Sequence, residues 1–301
     1  MNLSEPTLFK RSDKSRPARN TFLGDIEQYF TSSNNTCVHF GNNSGKIFVI
    51  KLLKSDAVIG EEVSCEEVFD SLLQLYPNRE FLKDFYFFAK HNIDYEIVII
   101  YDNCNWKLEN NNVVTVDFKM DGNAESGIKQ SVRILSQKDF QRGLVAKFGI
   151  NRTAKPLKYA TTEFEGFLSD ISTIYCTRND ITLFPGDVDL LTYSDDYAHF
   201  DVFEFKKHTA AGGDSTLKEQ SFLKYITRDR KKYYGLADLC KCLGKDYFFN
   251  VLYSTRLGEE KIVKIEKINS ANLSLINSVL IEFDDKASLI KQIKNFTMNN
   301  Y

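Results

Sequence analysis

The chain has 301 residues, 43% hydrophobic and 27% charged, a balance that excludes a mostly disordered or fibrous protein and leaves room for one large domain or two ordinary ones. Lys and Arg together number 39 against 41 Asp and Glu, a formal net charge of -2. Global charge therefore gives no argument for nucleic-acid binding, which would need a local basic surface.

Taken from the N-terminus, the first segment has no apolar core of the kind a secretory signal carries. Residues 10–19 hold Lys10, Arg11, Lys14, Arg16 and Arg19 against Asp13, a basic arm that reads either as a solvated tail or as a phosphate-neutralising extension. Residues 45–53 are rich in Val and Ile and predict a strand. Ser64 and Glu67 have capping-box spacing ahead of a helix over 65–75. Pro77 and Asn78 break it, and Phe81, Leu82, Phe85, Phe88 and Ala89 recur at helical period in a second helix. Two short helices across a break read as core packing or as a helix-turn-helix. Strands are expected near 95–101 and 113–119, separated by an Asn-rich turn. No repeat with a period of 20–50 residues is visible. Residues 149–160 mix Gly, Pro and basic side chains without periodicity, and the domain junction is placed there: an N-terminal α+β domain over 1–150 and a second domain over 151–301.

The second half carries the chemistry. Residues 162–175 set Phe164, Phe167, Leu168, Ile171 and Tyr175 on one helical stripe, with Glu163 and Glu165 near its start. Thr162 and Glu165 also have capping-box spacing, a structural reading of the same glutamate. Two strands follow, ITLFPGDVDLLTY and HFDVFEFKKH, joined by the polar turn Ser194-Asp195-Asp196. Alternation places Asp187 and Asp189 on one face of the first, and Val202, Glu204 and Lys206 on one face of the second. As a hairpin, they bring Asp189 and Glu204 together. Two converging carboxylates repel unless a divalent cation lies between them, and Mg²⁺ takes few carboxylates plus several waters.

This pattern resembles the PD-(D/E)XK nuclease superfamily, whose signature is a helical Glu, an Asp at a strand end and (Asp/Glu)-x-Lys on the next strand. Here these are Glu165, Pro185-Gly186-Asp187-Val188-Asp189 and Glu204-Phe205-Lys206, over roughly residues 160–255. Pro185 does not directly precede an Asp; of Asp187 and Asp189, the second is favoured. Glu163 is the substitute for Glu165. The resemblance implies a restriction-endonuclease-like mixed central sheet flanked by helices. It implies Mg²⁺, with Mn²⁺ able to substitute, held by Asp189, Glu204 and the carbonyl of Phe205, and a catalytic role for Lys206. Asp117-Phe118-Lys119 mimics the tripeptide but lacks the preceding acidic strand and helix, and reads as half-exposed alternation.

His199 and His208, bracketing the second strand, are expected to be structural or contact residues, and the loop 210–214 a flexible turn. A long helix is expected over 216–241. Lys224, Arg228 and Lys231 form one stripe on it, the candidate phosphate contacts, while Arg230 turns away. A strand over 247–253 would extend the sheet.

The six cysteines are scattered without a CxxC pair, which speaks against zinc and for free thiols. No stretch approaches the ~20 apolar residues of a membrane helix. The expectation is a cytoplasmic, Mg²⁺-dependent endonuclease of restriction type acting on DNA, with no membrane partner and a homodimer as the assembly. The alternatives are a structure-selective repair or junction-resolving nuclease, a catalytically inert DNA-binding or defence-complex subunit, and a non-nucleic-acid α+β interaction protein.

Overall fold

Strands β1 (Leu3–Ser4), β2 (Asn35–Asn43), β3 (Lys46–Ser55), β4 (Asp94–Tyr101), β5 (Asn112–Met120) and β6 (Ile128–Ser136) form the N-terminal sheet. β3 is buried along all but its first residue, as its Ile, Val, Phe and Leu content dictates. The computed structural model describes residues 1–4, 35–43, 46–101, 111–122, 127–148, 186–207, 217–227, 230–244, 248–254 and 262–298. They fall into two compact units, the first taking the described residues of 1–6 and 38–186 and the second those of 35–37 and 187–298, and each unit is a mixed sheet flanked by helices, an α+β architecture.

In the N-terminal unit β2 and β3 make an antiparallel hairpin, with His39 opposite Ile50. The chain then crosses through α1 (Cys65–Leu75) and α2 (Glu80–Lys90) into β4, which lies parallel to β3 with Lys51 opposite Ile97. β5 and β6 follow as an antiparallel meander, and α3 (Gln137–Phe148) closes the unit. The sequence expectations for β3, α1, α2, β4 and β5 hold to within a residue or two. Ser64 caps α1 by accepting the Glu67 N–H at 3.1 Å. Phe81, Phe85 and Phe88 are buried, and their rings meet Phe118 and Tyr95 on the sheet. Of the two readings of this helix pair, the structure gives core packing: it is a crossover lying on a sheet, and the helix-turn-helix reading is corrected.

The C-terminal unit runs through β7 (Gly186–Tyr193), β8 (Phe200–Lys207), a 3₁₀ turn (Leu217–Glu219), α4 (Phe222–Tyr225), α5 (Arg230–Cys242), β9 (Phe248–Ser254), β10 (Ile262–Asn269), β11 (Leu275–Glu282) and α6 (Lys286–Met298). β7 and β8 form an antiparallel hairpin with Leu190 opposite Phe203. β9 lies parallel to β8, with Lys206 opposite Tyr253, and extends the sheet as expected. β10 and β11 continue it antiparallel.

Both units therefore repeat one order. A hairpin feeds a helical crossover into a strand parallel to the hairpin's second strand; two antiparallel strands and a closing helix follow. A structural repeat of this length lies outside the periods that a sequence scan for short repeats detects.

The long helix expected over 216–241 is not continuous. It is a 3₁₀ turn and two helices, α4 and α5. Ser221 starts α4 by accepting the Leu223 N–H at 3.3 Å, and the buried Glu266 of β10 takes the Phe222 N–H at 2.7 Å. Lys264, also on β10, donates to the carbonyls of Lys218 and Gln220. These partners satisfy backbone groups that a continuous helix would have paired internally. α5 ends where Gly244 takes a left-handed φ of 86°.

Two cores sandwich the C-terminal sheet. On one face Leu190, Phe203, Leu252, Val263, Ile265 and Ile281 pack with Leu289 and Ile293 of α6. On the other, Phe249 meets Phe222 and Tyr233 of the crossover. No helix among the described residues is long and apolar enough to cross a membrane.

Candidate metal centre

The candidate site lies on the crossover face of the C-terminal sheet, at the open end of the β7–β8 hairpin. Alternation brings Val202, Glu204 and Lys206 to that face while Phe203 packs on the other. The hairpin's far end is fixed by a polar turn. There the His199 N–H donates to Ser194 Oγ at 3.0 Å and the His199 carbonyl accepts the Ser194 N–H at 2.8 Å. The main chain of His199 is thus part of the turn that sets the register, in keeping with a structural role.

Continuing that register one step beyond Leu190 and Phe203 sets Asp189 opposite Glu204. The Phe205 N–H donates to Asp189 Oδ2 at 2.7 Å. In an extended strand the N–H and C=O of one residue point to the same side, so the Phe205 carbonyl is turned toward β7 as well. The hairpin thus brings Asp189, Glu204 and the Phe205 main chain to one end.

Glu204 is 1% exposed. Its Oε1 lies 3.1 Å from Lys206 Nζ and its Oε2 lies 2.7 Å from Lys232 Nζ on α5. At that distance Lys232 is a charge-assisted partner of the buried carboxylate. Lys206 also lies over the rings of Tyr225 and Tyr233, 5.8 and 5.6 Å from their centroids. The structure thus neutralises the candidate carboxylate with two ammonium groups.

A second buried group adjoins the site. Glu266, fully buried on β10, takes the Tyr253 hydroxyl at 2.9 Å in addition to the Phe222 N–H, and its Oε1 pairs with Lys264 at 2.8 Å. Burial and then the Glu266 charge push the Tyr253 phenol well above its ordinary value, so it stays a donor. The Tyr225 hydroxyl donates to Gln220 Oε1 at 2.6 Å.

The donor set fits a hard divalent cation. Two carboxylates and a carbonyl on neighbouring strands are oxygen donors of the kind such an ion takes. Among the described residues no three His, Cys, Asp or Glu side chains gather in a metal-binding group. A cation here would therefore complete its shell with water, and would reach Glu204 only by displacing an ammonium.

Several expected residues lie outside the described ones: Glu163, Glu165, His208, Arg228, the arm at 10–19 and the loop 210–214. Of Asp187 only the backbone, in β7, is described, and of Lys231 only the backbone, in α5. Lys224 is exposed in α4. Because α4 and α5 are separate helices, Lys224 and Lys231 do not share a single helical stripe. Asp117-Phe118-Lys119 behaves as strand alternation: Asp117 pairs with Arg133 at 2.6 Å, Phe118 is buried and Lys119 is exposed.

Sequence reasoning missed Lys232 and Glu266. The N-terminal unit holds a closed counterpart of the site. Lys51 on β3 faces the crossover helices as Lys206 does on β8, and it pairs with Asp84 of α2 at 3.0 Å beneath the Tyr76 ring.

Neither a family model, nor a curated protein, nor a solved structure matches this chain.

Proposed function

We propose that the C-terminal unit is a Mg²⁺-dependent phosphodiesterase centre of the PD-(D/E)XK kind, acting on DNA as an endonuclease of restriction type. The observation that carries this reading is the buried Glu204 carboxylate, set by the hairpin register beside Asp189 and one alternation away from Lys206. The order hairpin, helical crossover, parallel strand supports a restriction-endonuclease-like core. Asp189, Glu204 and the Phe205 carbonyl would hold the cation. When bound, Mg²⁺ polarises the phosphoryl group and supplies an activated water. Lys206 orients that water and offsets charge developing on the phosphate, with the rings of Tyr225 and Tyr233 limiting where its ammonium can move. Glu165, outside the described residues, would by the same resemblance supply a further carboxylate.

One observation favours a second reading, a catalytically inert DNA-binding or defence-complex subunit. Both Glu204 oxygens are already neutralised by lysines, as in a structural ion-pair cluster. Plasmid incubated with the protein and Mg²⁺ separates the two. Discrete fragments that vanish with EDTA and in Glu204→Ala support the nuclease, whereas DNA retention without cutting in any divalent cation supports the inert subunit. Cutting confined to branched DNA would instead place the protein among junction-resolving enzymes.

A further inference from the structure

Lys232 sits in a position that neither its basic neighbours nor the ordinary needs of a helix explain. It projects from α5 onto a carboxylate that Lys206 already neutralises, so two cations converge on one buried anion. Its side chain is 25% exposed while Glu204 is 1% exposed, so Lys232 approaches from the solvent side and has somewhere to go. Its contact with Oε2 is an ion pair at 2.7 Å. An ammonium is a point charge on a flexible four-carbon stem, so it holds the charge without a fixed fork geometry.

We propose that Lys232 is a stand-in for the divalent cation: it neutralises Glu204 in the metal-free protein, and once displaced it becomes a phosphate contact. This rests on the metal-site reading given above. Lys206 lies on Oε1 alone, and a buried carboxylate oxygen left without a partner is costly, so a metal site emptied in the cell needs a second cation on Oε2. Lys232 supplies it from a helix that does not belong to the hairpin. A divalent ion competing for Oε2 transfers the ammonium to solvent at the mouth of the site, where a phosphodiester bound for hydrolysis must lie. Metal and nucleic acid then strengthen each other's binding through one side chain, and by linkage the coupling is reciprocal.

The full chain is titrated with Mn²⁺ by calorimetry without DNA, as wild type, Lys232→Met and Lys232→Arg. Lys232→Met is expected to bind Mn²⁺ about tenfold more tightly, the size of one lost charge-assisted contact. Lys232→Arg, with a planar fork that grips carboxylates better, is expected to bind it more weakly. In the slow-cutting Lys206→Ala background, over times short of its residual cleavage, affinity for a short DNA duplex is then measured against salt. With Mn²⁺ present, Lys232→Met is expected to show a slope shallower by about one unit, and no change without Mn²⁺. Unchanged or weaker Mn²⁺ binding by Lys232→Met overturns the proposal while leaving the metal site standing. So does a slope change that is equal with and without Mn²⁺. If Lys232→Met does not fold, the wild type decides alone: Mn²⁺ and duplex affinities that do not enhance each other overturn the proposal. A wild type that binds no Mn²⁺ overturns both it and the metal-site reading, and is told apart by that first titration.

Discussion

Lys51 Nζ and Asp84 Oδ2 meet at 3.0 Å with their side chains only 4% and 3% exposed. A buried pair of this kind gains little over a hydrophobic replacement but is costly to break, because the survivor keeps a desolvated charge. Asp84→Ala is therefore expected to lose about 3–5 kcal/mol of stability, while the double variant Lys51→Met/Asp84→Leu stays near wild type. Urea unfolding of Lys51→Met, Asp84→Leu and the double closes the cycle, with Asp84→Ala reporting the lone charge. A double variant no better than Asp84→Ala would show that the pair does more than cancel two charges.

Lys206 is expected to separate rate from metal affinity. Lys206→Ala should cut at least ~100-fold more slowly, in line with loss of one preorganised electrostatic group. It should bind Mn²⁺ at least as well as wild type, since one of the two ammonium groups on Glu204 is gone. Glu204→Ala and Asp189→Ala should abolish cutting and keep metal-free DNA binding. Single-turnover cleavage and Mn²⁺ calorimetry on the same preparations test both halves. Near-normal cleavage in either acid variant would remove that residue from the site.

Glu96 gives the N-terminal unit a pH signature. Burial raises its pKa above the usual carboxylate value, against the pull of Lys147 at 3.0 Å and Arg133 at 3.5 Å. A raised acid binds its proton more tightly when folded. Its contribution is therefore most favourable below the unfolded pKa and declines as pH rises through the window up to the folded one. Wild-type stability relative to Glu96→Gln should fall with rising pH from about 4.5 upward, then level off. Denaturation midpoints for both proteins across this range are the measurement, and a difference that grows with pH would reverse the sign argued here.

The broken helix changes the expectation for phosphate contacts. Lys224 in α4 and Lys231 in α5 now belong to separate elements, so their effects on salt dependence should be independent. Each alanine variant that removes a genuine contact should make the plot of log affinity against log salt shallower by about one unit, and two such variants should add. No change for either would leave the basic arm at 10–19 as the place to look next.

The strands of the candidate site were legible because alternation and β-branched content act over neighbouring residues. β8 reads as Val202, Glu204 and Lys206 on one face with Phe203 on the other, and so it folds. The helices at 65–75 and 80–90 were legible for the same reason: Ser64 and the Phe81, Phe85, Phe88 period are local signals. The interruption between α4 and α5 was not, because it is enforced by Glu266 and Lys264, which arrive from a strand some forty residues further on. Lys232 was hidden because its partner Glu204 lies on another element, and the two meet only when α5 is laid on β8. The repeated order of the two units left no trace that local patterning could detect, since pairing direction is fixed by backbone hydrogen bonds and not by residue identity.

The parallel pairing of β8 with β9 has a consequence for the order of events during synthesis. The β7–β8 hairpin closes through a short turn and can form as soon as His199 and the strand beyond it leave the ribosome. Its partner β9 is separated from it by the whole crossover, so the second edge of β8 waits for α4, α5 and the larger entropy of that closure. Until then Glu204 faces water, where its charge costs nothing. Burial of that carboxylate and arrival of Lys232 thus both wait on the crossover, and a nascent chain halted between Lys207 and Arg230 would carry Glu204 on an open ribbon, without the helix whose lysine meets it.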